Sequence, residues 1–102
     1  MVRINWTELS VDDLKEIYDY IAEDSVRYAE IIVNKIYNRA QILKNQPRSG
    51  KIVPEFNDQH IREIISGNYR IVYRILSESQ VDILRIYHSA KLLGKDSLKH
   101  QT

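Results

Sequence analysis

Apolar and polar residues alternate with different periods along this chain, and each period predicts a different element. "VRINW" (2–6) alternates residue by residue, the mark of a short half-buried strand. From Val11 the apolar spacing becomes three and four: Val11, Leu14, Ile17, Tyr18 and Ile21 share one helical face. "SVDD" just before them supplies Ser10 as an N-cap, with Asp13 three residues on in the manner of a capping box. A first helix is therefore expected over about 11–23, with its acids on the solvated outer face. "EDSV" interrupts the pattern and offers Asp24 or Ser25 as the next cap. Ala29, Ile32, Val33, Ile36, Tyr37, Ala40 and Leu43 then form the stripe of a longer helix, closed by Pro47. The link between the two helices is so short that they must form an antiparallel hairpin, about 11–46 in all.

"QPRSGKIVPEFNDQ" (46–59) holds both prolines and Gly50 and reads as a loop crossing from helices to sheet. Strands are expected at about 60–66, 69–76 and 80–88, joined by Gly67-Asn68 and Glu78-Ser79 turns. The tail, 92–102, reads as a short helix or a flexible end. The order is β-α-α-β-β-β over a single domain, 1–102. The expected fold class is α+β: an antiparallel sheet with a helical hairpin packed on one face.

Two-residue turns set the register. They gather Ile64, Ile71, Tyr73, Ile75, Leu84 and Ile86 on the helix-covered face. The other face collects Ile61, Glu63, Ile65, Arg70, Val72, Arg74, Ile83 and Arg85. Arg62 and His88 fall at strand ends, where alternation predicts little. A sheet face mixing Ile and Val with Arg has the composition of an interface, because guanidinium pairs bidentately and stacks. A cross-strand pair from Glu63 to Arg70 or Arg74 is the purely structural alternative.

Composition and charge change this picture in three places. With no cysteine, disulfides, thiolate metal sites and cysteine nucleophiles are excluded. His60, His88 and His100 are too scattered for a zinc site, so no metal or other cofactor is expected. No apolar run is long enough to span a membrane, and "MVRINWTELS" lacks the apolar core of a signal peptide. The net charge of +1 hides a division: residues 8–24 carry seven acids against one base, while residues 48–102 carry nine bases against six acids. A basic sheet suits nucleic acid or an acidic partner.

One catalytic chemistry fits these side chains. RNA cleavage by 2′-hydroxyl attack needs an acid, a base and cationic support for the phosphate. His88 would serve as acid or base, with Arg62, Arg70 and Arg85 on phosphate and His60 as a second titratable group. There is no Gly-rich phosphate loop and no nucleophile elbow.

The wording "DLKEIYDYIAEDS", "VPEF", "IREIISGNYRIVYRI" and "ILRIYHSAK", with Pro47 and Gly50 between helix and sheet, resembles the RelE/ParE superfamily of type II toxin–antitoxin toxins. The resemblance runs from residue 3 to about 93 and is nearer the ParE-like, plasmid-stabilisation branch. It implies a cytoplasmic toxin neutralised by a cognate antitoxin that wraps the helices and the open sheet face, with a homodimer or a toxin–antitoxin heterotetramer as the assembly. The ParE-like branch implies poisoning of DNA gyrase without covalent chemistry, and Arg62 and Arg70 match basic positions common to both branches; the candidate target-binding residues are Arg70, Arg74 and Arg85 of the open sheet face, flanked by Arg62. Ile61, Ile65, Val72, Arg74 and Ile83 are then the candidate antitoxin contacts. The alternatives are a RelE-like endonuclease acting on mRNA in the ribosome, with His88, Arg62 and Arg70 as catalytic residues, or an inactive antitoxin-binding relative. The lysine-rich strand and C-terminal tyrosine of the RelE-like nucleases have no counterpart here.

Overall fold

Thr7 ends the first strand and starts the first helix with a single side chain. Strand β1 is Arg3–Trp6, and the Thr7 N–H and hydroxyl both donate to the carbonyl of Ile83. The same hydroxyl oxygen accepts from the Ser10 N–H, so Thr7 is the N-cap of α1 (Glu8–Ala22). The helix thus begins three residues before the expected start. Ser10 is not its cap but a fully buried residue in its first turn. Ser25 caps α2 (Val26–Gln41) by accepting from the Tyr28 N–H, as the sequence suggests. The computed structural model describes residues 1–89; the expected tail lies outside the described residues.

A 3₁₀ turn at Ile42–Lys44 leads to β2 (Lys51–Ile52), and another at Pro54–Phe56 leads to β3 (Ile61–Ser66), β4 (Tyr69–Ser77) and β5 (Gln80–His88). The sheet order is β1-β5-β4-β3-β2. Two points correct the expected sheet. It is mixed rather than antiparallel, since β1 runs parallel to β5, a partner 77 residues away whose direction no local pattern reveals. It also gains β2, whose two residues are too few to show alternation.

Strands β3 and β4 pair in the expected register, with Ile64 opposite Ile71 and Arg62 opposite Tyr73. Between β4 and β5 the register begins as expected, Ile71 opposite Ile86, and then shifts. A bulge between Val72 and Tyr73 places Ile83, rather than Leu84, opposite Tyr73. Ile83 therefore belongs to the helix-packed core with Val2, Ile36, Leu43, Ile71 and Tyr73. Leu84 turns to the other face.

That other face is not bare. Val53 and Phe56, from the segment read as loop, pack on Ile61, Val72 and Tyr87 to make a second small core, with Leu84 against its edge. The loop is held there by Tyr73. Its hydroxyl donates to the Pro47 carbonyl at 2.7 Å and accepts from the Gly50 N–H at 2.9 Å. Burial holds its phenol above the ordinary tyrosine value. Arg62 adds donations to the carbonyls of Gln59, Arg48 and Gly50.

Gly50 and Gly67 are glycines for different reasons. A Cβ at Gly50 would stand 2.7 Å from Tyr73 Cε1 and 2.8 Å from the Glu63 carbonyl oxygen. At Gly67 the space is empty but φ is +58°. Gly50→Ala is expected to cost about 1–3 kcal/mol by overpacking, whereas Gly67→Ala is expected to cost about 1 kcal/mol from backbone strain alone. Urea unfolding of both variants checks the difference.

Candidate functional site

Pleating places Glu63, Ile65, Arg70, Val72, Arg74, Arg85 and Tyr87 on the face away from the helices. The arginines there are not equivalent. Arg70 donates through Nε to Glu63 at 2.7 Å, and its Nη2 lies 2.6 Å from the same carboxylate oxygen. Both side chains are about 15% exposed (16% and 15%), so the pair is largely shielded from water.

Arg85 is tied more tightly. Its Nε and Nη2 donate to the two oxygens of Asp13 at 2.8 and 2.9 Å, and the Ile86 N–H donates to Oδ2 at 2.9 Å. Its guanidinium carbon lies 5.0 Å from the Tyr87 ring centroid. The hydrogen bonds it donates to Asp13 raise the guanidinium pKa above its ordinary value, against the opposing effect of burial. Asp13 is therefore neither a capping residue nor part of the solvated acidic face. It lies three residues after buried Ser10 and four before half-buried Ile17, so the helical period was the signal that located it.

Arg74 is the guanidinium presented to solvent: its side chain is 51% exposed and its nearest acid, Asp58, is 4.0 Å away. It borders a cavity of about 220 Å³ lined with Thr7, Leu9, Ile61, Leu84 and Arg85. Of the apolar residues expected to meet an antitoxin on this face, Ile65 is exposed. Ile61 and Val72 are buried beneath Val53 and Phe56, and Ile83 lies in the main core because of the bulge.

The three candidate catalytic residues do not converge. His88 packs edge-on against Tyr69, 5.7 Å between centroids, on the helix side of the sheet. Arg62 is on that side too, but opposite Tyr73, four β4 residues from Tyr69 and roughly 13 Å along the strand. Arg70 projects from the opposite face. His60 is exposed and sits 3.3 Å from Asp58. Among the described residues no three His, Asp or Glu side chains group to hold a metal ion.

Asp58 accepts the His60 backbone N–H at 2.8 Å. That bond, followed by the His60 side chain and Arg74, keeps its carboxyl below the usual aspartate value, with desolvation opposing.

Comparison with known proteins places this geometry. The family model for the ParE toxin of type II toxin–antitoxin systems, parDE, matches residues 4–93. A chain from the chromosomal ParDE TA system of P. aeruginosa shares the fold, with a TM-score of 0.72 at 23% identity over 86% of this chain and 96% of that one. No curated protein sequence matches.

Two outcomes follow from these contacts. Asp13→Ala strands a shielded guanidinium and the Ile86 N–H, and is expected to cost about 3 kcal/mol in chemical unfolding. Asp13→Asn, which keeps an acceptor for Ile86, should cost less. Arg85→Ala should likewise lower the melting temperature, so lost function in that variant would not identify a target contact. Asp58, whose folded pKa is depressed, contributes stability above its ordinary value that is lost as pH falls through the folded one. A carboxyl NMR titration should place Asp58 below free aspartate. Arg74→Ala should leave most of that depression, since the His60 N–H is its largest source.

Proposed function

The chain belongs to the family of ParE toxins of type II toxin–antitoxin systems, and from that premise we propose that it arrests growth by binding DNA gyrase, stabilising the cleaved-DNA complex, until a cognate antitoxin neutralises it. The mechanism is protein–protein recognition in the cytoplasm. The observation that carries this reading is the arrangement of the sheet face. Exposed Arg74 borders an apolar depression beside the two paired arginines, while His88, the candidate acid or base, lies on the other side of the sheet.

Such a face suits a protein surface that offers a carboxylate next to an apolar side chain. Arg74 supplies the charge, and the Leu9–Ile61–Leu84 depression takes the apolar group. Arg70 and Arg85 contribute by shaping the face. Each is positioned by its carboxylate, so neither has to be ordered when a partner arrives. Arg62 acts through the loop it holds rather than by contact with the target. The same face is the one on which an acidic stretch of antitoxin would cover the target-binding residues.

The test is plasmid supercoiling by purified gyrase with ATP and relaxed DNA. The isolated chain is expected to abolish supercoiling and to leave linear DNA after protein digestion. Arg74→Glu should weaken inhibition by at least ~10-fold, about 1.4 kcal/mol, with an unchanged melting temperature. Normal supercoiling at excess wild-type chain would overturn the gyrase assignment, and full potency of Arg74→Glu would remove the contact from this face.

A further inference from the structure

Three arginines of the sheet face have carboxylate partners, and the partners differ in kind. Glu63 meets Arg70 at 2.6 Å and Asp13 meets Arg85 at 2.8 Å, both in shielded, hydrogen-bonded pairs. Asp58 faces Arg74 at 4.0 Å, where the charges attract but no hydrogen bond forms. The shielded pairs belong to the scaffold. The open pair can exchange one carboxylate for another, because it has no hydrogen bond to lose and an exposed ion pair is weak.

Asp58 is nevertheless held firmly in place. Its backbone carbonyl accepts the Ile61 N–H at 3.0 Å, and its Oδ1 accepts the His60 N–H at 2.8 Å in an Asx turn. The His60 imidazole reaches the same oxygen, with Nδ1 at 3.3 Å. The remaining oxygen, Oδ2, is the one that faces Arg74. A second acid close at hand is committed elsewhere. Asp82 stands directly opposite Arg74 on β5, the position from which a cross-strand ion pair would form. Its Oδ1 instead accepts from Asn5 Nδ2 at 3.1 Å and from Gln80 Nε2 at 2.8 Å. Two neutral amides thus engage the cross-strand neighbour, while the ion pair of Arg74 is made to the loop.

We propose that Asp58 is a built-in competitor that decides which partners can use Arg74: its carboxylate occupies the arginine in the free chain, and a partner's carboxylate must displace it. This rests on the Arg74 contact proposed above and adds the residue that controls it. Occupancy lowers the affinity of every anion for Arg74 by the fraction of time the arginine is engaged. Discrimination is therefore by threshold. An aspartate or glutamate on a surface that also fills the Leu9–Ile61–Leu84 depression makes up the difference through the second contact. An anion on a surface that misses the depression has nothing to offset it.

The probe is a short glutamate–leucine peptide, titrated into the full chain and followed by NMR at the Arg74 Nε–H. Asp58→Asn removes the charge and keeps an oxygen for the His60 N–H, so the melting temperature should hold. Asp58→Ser offers a hydroxyl oxygen to the same N–H and provides a second variant. Both are expected to bind the peptide about 3-fold more tightly than wild type, the scale of a weak exposed pair. The Arg74 Nε–H should be shifted in both before any peptide is added. Asp82→Asn, which removes a charge without touching the pair, should tighten binding far less. Equal gains from Asp82→Asn and Asp58→Asn would reduce the effect to net charge and overturn the proposal. Unchanged affinity in both Asp58 variants would also overturn it, as would a peptide that leaves Arg74 unmoved in every variant. In supercoiling, Asp58→Asn should inhibit at about 3-fold lower concentration. The expected peptide response in a chain that leaves gyrase untouched would uphold the role of Asp58 and sink the gyrase assignment alone. Potent inhibition by wild type with no effect of Asp58→Asn in either assay would sink the competitor alone.

Discussion

The carboxylate of Asp13 closes a gap that the strand lengths create. Strand β1 has four residues and β5 has nine, so among the described residues the outer edge of β5 has no strand partner after Ile83. An open edge of backbone donors and acceptors invites pairing with another chain. Thr7 takes the carbonyls of Ile83 and Leu84, and Asp13, further along α1, takes the Ile86 N–H. Arg85 then neutralises the carboxylate that this edge required. On the other side of the sheet, where β2 pairs with only Arg62 and Glu63 of β3, Arg39 meets the Ile65 carbonyl in the same way.

That edge closure shapes the surfaces on both sides of the sheet. It seats the start of α1 over β5, and further along the helix Glu16, Ile17 and Tyr20 come beside Tyr69, Ile86 and His88. It also commits Arg85 to the scaffold, and the Arg70–Glu63 pair does the same for Arg70. A guanidinium already satisfied by a carboxylate can shape a surface but recruits a new anion only by giving up that partner. Arg74 is left as the arginine of this face with the most exposed side chain of the three ion-paired ones.

The loop between helix and sheet completes the arrangement. Tyr73 and Arg62 hold residues 47–50, and the chain that follows lays Val53 and Phe56 over Val72 and Ile61. A domain of this size has little core to spare. Covering part of the second sheet face enlarges that core at the cost of interface area, and what remains is a shallow depression around Leu84 rather than a broad apolar sheet.

Periodicity alone determined the two helices, the three long strands, the Gly67-Asn68 turn and the register from Ile61 to Ile71, because these depend on spacing within one segment or across a two-residue turn. The motifs in α1 and in β3 to β5 also pointed to the ParE-like branch. Tertiary structure decided the parallel partner of β1, the bulge that exchanged Ile83 for Leu84, the loop that covered Val72, and the fate of each arginine. Those outcomes turn on which side chain meets which across separations such as the 72 residues between Asp13 and Arg85. A hydrogen bond between distant residues leaves no period in the chain, so only the folded geometry reveals which charges are consumed inside and which are offered to a partner.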